Sequence, residues 1–143
     1  MRAMAALAGA AILLGGCSLL AAPTANVGEC VDLDINSTSV TELEGFECTQ
    51  EHDAEVYFKG DVEGDGDYDA VAVEEQAVDL CLAGFEDFVG LEYFSSTLDV
   101  YYMFPQADGW SSGDRAVICA VYTPDPITGD VSRTTGSLEG SAV

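Results

Sequence analysis

Positive charge is scarce in this chain. Its 143 residues include 4 Lys+Arg and a single His against 26 Asp+Glu, a formal net charge of -22. Direct nucleic-acid binding requires basic groups to neutralise phosphates, so that function class is excluded. There is no CxxC pair and no second His, which leaves His52 without the partners of a familiar zinc site. After the first seventeen residues no apolar run approaches the roughly 20 residues that a membrane-spanning helix needs. Apolar content, by contrast, is ample: 48% of residues are hydrophobic, with 6 Phe, 6 Tyr and 1 Trp. A disordered acidic tail would lack that content. The composition therefore predicts an acidic globular protein of one domain.

Residues 1–17 read MRAMAALAGAAILLGGC. Arg2 supplies a short positive start, and Ala3 to Leu14 form an apolar stretch of signal-peptide length. It ends in Leu14-Gly15-Gly16-Cys17, which resembles a bacterial lipobox. Small residues allow extended backbone into a peptidase groove, and the Cys thiol can carry a diacylglycerol thioether. The expectation is that residues 1–16 are a lipoprotein signal peptide and that Cys17 is the lipidated mature N-terminus. Several acyl chains on one Cys anchor stably where a single chain does not. Residues 17–26 then form a tether, and residues 27–141 a domain held at the extracytoplasmic face of the cell membrane. Cleavage leaves 127 residues carrying all 26 acids and only Lys59, Arg115 and Arg133 as cations.

With Cys17 set aside, Cys30, Cys48, Cys81 and Cys119 remain. An even number in an exported chain reads as a disulfide framework. Three pairings are open. The element order favours Cys30–Cys48, between neighbouring N-terminal strands, and Cys81–Cys119, between a helix and a later strand.

Val31, Leu33 and Ile35 alternate with Asp32 and Asp34, predicting a half-buried strand. Val40 to Cys48 predicts a second strand, and Ala54 to Lys59 a third. Gly60 to Asp69 reads as a Gly/Asp loop, with Asp69 as helix N-cap. From Ala70 to Val89 the period becomes helical, with Val73, Ala77, Cys81, Phe85 and Phe88 on one face and Gly90 as the stop. Leu98 to Phe104 and the very apolar Arg115 to Tyr122 predict two further strands, the latter central. A last short strand is expected over Gly136 to Gly140. Strands, one long helix and then strands define an α+β fold: a mostly antiparallel sheet with the helix packed on one face and two disulfides.

No catalytic constellation stands out, and the protein is read as non-enzymatic. Gly109-Trp110-Ser111-Ser112-Gly113 matches G-x-S-x-G, but the nucleophile elbow needs a strand before it, a helix after it and a downstream His. Here a strand follows, and His52 is upstream. A carboxylate pair for hydrolysis is a weaker alternative, because 26 acids make any chosen pair uninformative. Asp61, Glu63, Asp65 and Asp67, with Gly66, resemble the first half of an EF-hand loop, and calcium or another cation is the alternative ligand. The twelfth position, however, is Ala72 instead of a bidentate Glu. Fourteen of the acids lie between Gly28 and Asp69, which favours basic or cationic partners.

Several strings resemble the actinobacterial septum-formation domain family. They are Gly28-Glu29-Cys30-Val31-Asp32; Cys48 to Tyr57, as C-x-x-x-H-D-x-E-V; Trp110-x-x-Gly113-Asp114-Arg115 with Cys119; and Thr135-Gly136-Ser137-Leu138-x-Gly140. The resemblance covers about residues 27–141. It implies an exported, often lipid- or membrane-anchored envelope module with a link to cell division and no defined catalytic activity. The lipobox, the disulfide pattern and the absence of a nucleophile–base pair then lead to the expectation of an anchored domain that binds an envelope protein or a cell-wall component. His52, Asp53 and Arg115 fall within the family motifs. They are the candidates for ligand or partner contact, and anchoring of backbone groups is the plainer role. Glu51 stands where Pro is frequent, and the acidity is unusual for the family.

Overall fold

The computed structural model describes residues 25–33 and 43–143. Cys17, the signal segment and most of the tether lie outside the described residues, as do Ile35 and Val40.

The centre of the fold is strand β4, Ala116–Pro124. Its apolar run is buried on both faces, which is why it lacks a polar alternation. Strand β2, Ala54–Asp61, pairs antiparallel with it on one side, and β3, Asp99–Met103, on the other. The short β1, Cys30–Val31, pairs antiparallel with the start of β2, giving the order β1-β2-β4-β3. A final short strand, β5, Val131–Ser132, pairs with the end of β4 through Thr123 and Pro124. The sheet is antiparallel and curled, as the α+β reading requires.

Helix α1 runs Ala70–Val89. The Asp69 side chain accepts hydrogen bonds from the Val71 and Ala72 amides at 3.1 and 3.2 Å, so two of the orphan donors at the helix start are satisfied. Val73, Ala77, Cys81, Phe85 and Val89 recur every four residues and are buried. They pack on Tyr57, Val117, Cys119 and Val121 of the sheet. Gly90 ends the helix in the left-handed region, at φ 82°. Two of the last carbonyls, those of Phe88 and Val89, then accept from Gly140 and Ala142 of the chain terminus. The opposite face of the sheet, with Val56, Ile118 and Ala120, is covered by Ala25, Val31 and Leu43.

The disulfides are Cys30–Cys48 and Cys81–Cys119, with Cα–Cα separations of 5.0 and 5.6 Å. The second ties α1 to the central strand.

Several boundaries differ from expectation. β2 continues through Gly60 and Asp61, which therefore leave the predicted loop. It carries a bulge between Val56 and Phe58, and both Tyr57 and Phe58 pack with the helix-side core. The ring of Phe58 lies close over Gly60 and Gly84: a Cβ at either would stand 2.8 or 3.2 Å from it. Of the expected strand towards Cys48, the described residues show a single bridge, between Phe46 and Cys30. The Gly109–Gly113 string belongs to a short helix, α2, Ala107–Ser111, with Trp110 buried and strand β4 following. Residues 136–140 form turns instead of a strand. Their glycines take positive φ values, 89° at Gly136 and 62° at Gly140, and their amides bond to separate acceptors along the domain, as described next.

Candidate functional site

The start of β2 and the end of the chain meet in a clasp. The backbones of His52 and Thr134 exchange two hydrogen bonds of 2.9 Å, and Gly136 donates to the Cys48 carbonyl at 2.7 Å. Beneath them lies Glu55, 1% exposed. One carboxylate oxygen accepts from Ser137 Oγ at 2.8 Å, the other from the Leu138 amide at 2.6 Å. By register Glu55 sits between Cys30 of β1 and Val121 of β4. A carboxylate oxygen and both sulfurs of Cys30–Cys48 lie within 4.8 Å of one another.

His52 is fully buried. Its Nδ1 lies 2.8 Å from the Gln50 carbonyl, and since a carbonyl only accepts, Nδ1 is the donor of that bond. Its Nε2 is buried with no hydrogen-bond partner among the described residues. Asp53 uses one oxygen to accept from the Leu33 amide at 2.8 Å, and offers the other to Arg133 at 3.1 Å. Arg133 also pairs with Asp32 at 3.0 Å and Glu51 at 3.3 Å, and donates to the Glu51 carbonyl at 2.8 Å. One guanidinium thus joins β1, the approach to β2 and the chain end.

Arg115 belongs elsewhere. It precedes β4 as His52 precedes β2, and the two strands are antiparallel. The residues therefore occupy opposite ends of the ladder, about nine strand positions or roughly 30 Å apart at 3.3 Å per residue. Arg115 stacks 3.4 Å from the centre of the Trp110 ring, a cation–π arrangement. It donates to the carbonyls of Gly64, Trp110 and Asp114. The Trp110 indole N–H donates to the Gly66 carbonyl at 2.8 Å. Together they pin the acidic loop to the sheet. The carboxylates of Asp61, Glu63, Asp65 and Asp67 do not converge: among the described residues, no three of them bring ligand oxygens within 4.8 Å of one another. Asp61 stands in β2, and Glu63 is held by Gln76 through its backbone.

A third polar group lies on β3. Asp99 accepts from the hydroxyls of Tyr93 at 2.7 Å and Tyr122 at 3.2 Å. The bond to Asp99, aided by burial, pushes the Tyr93 hydroxyl up to about 12. Burial and then Asp99 raise Tyr122 as well.

Glu55, although it is the Glu of the C-x-x-x-H-D-x-E-V string, and Arg133 are not among the candidate contact residues read from the sequence. Glu55 lies in the predicted strand Ala54 to Lys59, and the residues that hold its carboxylate are 82 and 83 positions away. Arg133 meets Asp53 across 80 positions of sequence, and no local pattern reports such a contact.

The fold and clasp define a class: a small antiparallel α+β domain cross-linked by two disulfides, with its chain end folded back over the first. The family model described as "Septum formation" matches residues 27–143, most of the chain, and the protein belongs to that family. No curated protein and no solved structure matches the chain.

Proposed function

We propose that this protein is a lipid-anchored, extracytoplasmic module that works in septum formation by binding an envelope protein or cell-wall component, without catalysis. The observation that carries this reading is the convergence of three motif stretches, around Cys30, His52 and Ser137, on one clasp. There the side chains of Asp53, Glu55 and Arg133 hydrogen-bond to the chain itself. A family motif spent on holding a fold supports a presented surface more than a reaction centre. That surface is acidic: Lys59, Arg115 and Arg133 are each engaged internally, Lys59 with the Ala25 carbonyl at 2.7 Å. A basic or cationic partner is therefore favoured.

Two measurements test the proposal. A fluorescent fusion of the full chain should collect at division sites, and a uniform envelope distribution would refute the septal role. Membrane fractionation of Cys17→Ala should move the protein out of the membrane fraction, and retention there would refute the lipid anchor.

A further inference from the structure

The two disulfides sit in different chemical surroundings. Cys81 and Cys119 are buried within the helix-side apolar cluster. Among the described residues, no His, Asp or Glu completes a close group with their sulfurs. Cys30–Cys48 is asymmetric: Cys30 is fully buried, while Cys48 is partly open to solvent. The carboxylate of Glu55 lies within 4.8 Å of both sulfurs. The Gly28 carbonyl stands 3.7 Å from Cys48 Sγ, a ready acceptor for a thiol hydrogen there.

We propose that Cys30–Cys48 is an exchangeable disulfide that reacts with dithiols of the envelope, with Glu55 carrying the proton of the buried Cys30 sulfur. Exchange requires an approachable sulfur for the attacking thiolate and a leaving sulfur that can be protonated. Cys48 meets the first requirement and Cys30, beside Glu55, the second. One thiol of the dithiol, having lost its proton to solvent, attacks Cys48 Sγ. The S–S bond breaks, its electron pair leaves on Cys30 Sγ, and Glu55, having taken up a proton from solvent, passes it to that sulfur and returns to the carboxylate. The second thiol of the donor, deprotonated in turn, attacks the donor sulfur of the mixed disulfide. It expels Cys48 as a thiolate, which takes a proton from solvent. The dithiol has become a disulfide, and Cys30 and Cys48 have gained two electrons and two protons. In the reverse direction Glu55 accepts the Cys30 proton as that sulfur attacks. The segment that holds Glu55 through Ser137 and Leu138 also holds the Cys48 carbonyl through Gly136. It therefore keeps carboxylate and disulfide in register.

The test is timed exchange of the full chain with dithiothreitol across pH 6–9, trapped by alkylation and read by peptide mass spectrometry, with circular dichroism on the same samples. Cys30–Cys48 should open about tenfold or more faster than Cys81–Cys119 while the fold persists. Glu55→Gln should change the shape of the pH–rate profile as well as its height. Glu55→Asp, which keeps the carboxylate but withdraws it, should restore part of the wild-type shape, and it decides the matter if the Gln variant does not fold. Opening of both disulfides together and only on unfolding would overturn the proposal. So would Glu55 variants that fold and keep the wild-type profile.

Discussion

Glu55 and Arg133 show how burial decides the worth of a charged side chain. Both bridge distant parts of the chain, yet Glu55 is 1% exposed and the Arg133 side chain 43%. Removing the Glu55 carboxylate leaves the Leu138 amide and the Ser137 hydroxyl without their acceptor and opens a space at a fully buried strand position. Glu55→Ala should therefore cost about 2–4 kcal/mol in urea unfolding. Arg133 holds three carboxylates, but in high dielectric and at the cost of its own mobility. Arg133→Met should cost about 1 kcal/mol or less in the same measurement. The contrast between the variants is sharper evidence than either value alone. It also explains why the clasp was only half legible in the sequence: His52 and Asp53 stand out as an adjacent polar pair, whereas Glu55 becomes informative only once residues 137 and 138 are seen to cover it.

At the scale of elements, helix α1 matches its expected bounds from first residue to last, with Val89 buried in the last turn and Phe88 only half-buried. The N-cap at Asp69, the four-residue apolar spacing and the stop at Gly90 are all local signals. The chain end does not match, because its amides bond to a carboxylate and to scattered carbonyls instead of a neighbouring strand. The disulfides report on these elements separately. Replacing Cys81 and Cys119 together by Ala opens a 38-residue separation between α1 and β4 and should cost about 4 kcal/mol. The same replacement at Cys30 and Cys48, separated by 18 residues, should cost about 3 kcal/mol; chemical denaturation reads both. Strand β3 carries a pH signature. Tyr93 ionises near 12 in the folded state, through its bond to Asp99, and near 10 when unfolded. Its stabilising contribution is thus whole below pH 10, and is lost as pH rises from 10 through 12. Wild type should lose stability across that window, and Tyr93→Phe should lose less of it, as followed by denaturation at stepped pH.

Over the whole molecule the charge is the dominant fact. A formal charge of -22 on 143 residues opposes compaction. Internal pairing relieves little of it, since Arg133 engages three carboxylates while Arg115 and Lys59 donate to carbonyls. Screening should therefore stabilise the fold. The melting temperature should rise between 20 mM and 500 mM sodium chloride, and a fall would mean that attractive pairs outweigh the repulsion. The two apolar layers on either side of β4, together with the disulfides, hold the chain against that repulsion.

Composition and local pattern were enough to determine the acidic charge, the long helix with its caps, the central apolar strand and the family resemblance. Each of these depends on residues near one another in sequence, or on sums over the chain. Tertiary structure alone decided that Arg115 and His52 stand at opposite ends of one ladder and that the acidic loop is pinned by Trp110 with its carboxylates apart. It alone placed Glu55, Ser137 and the Cys30–Cys48 disulfide together. Those outcomes depend on strand direction and on a chain end folding back across 82 positions to reach Glu55, and no local spacing encodes either.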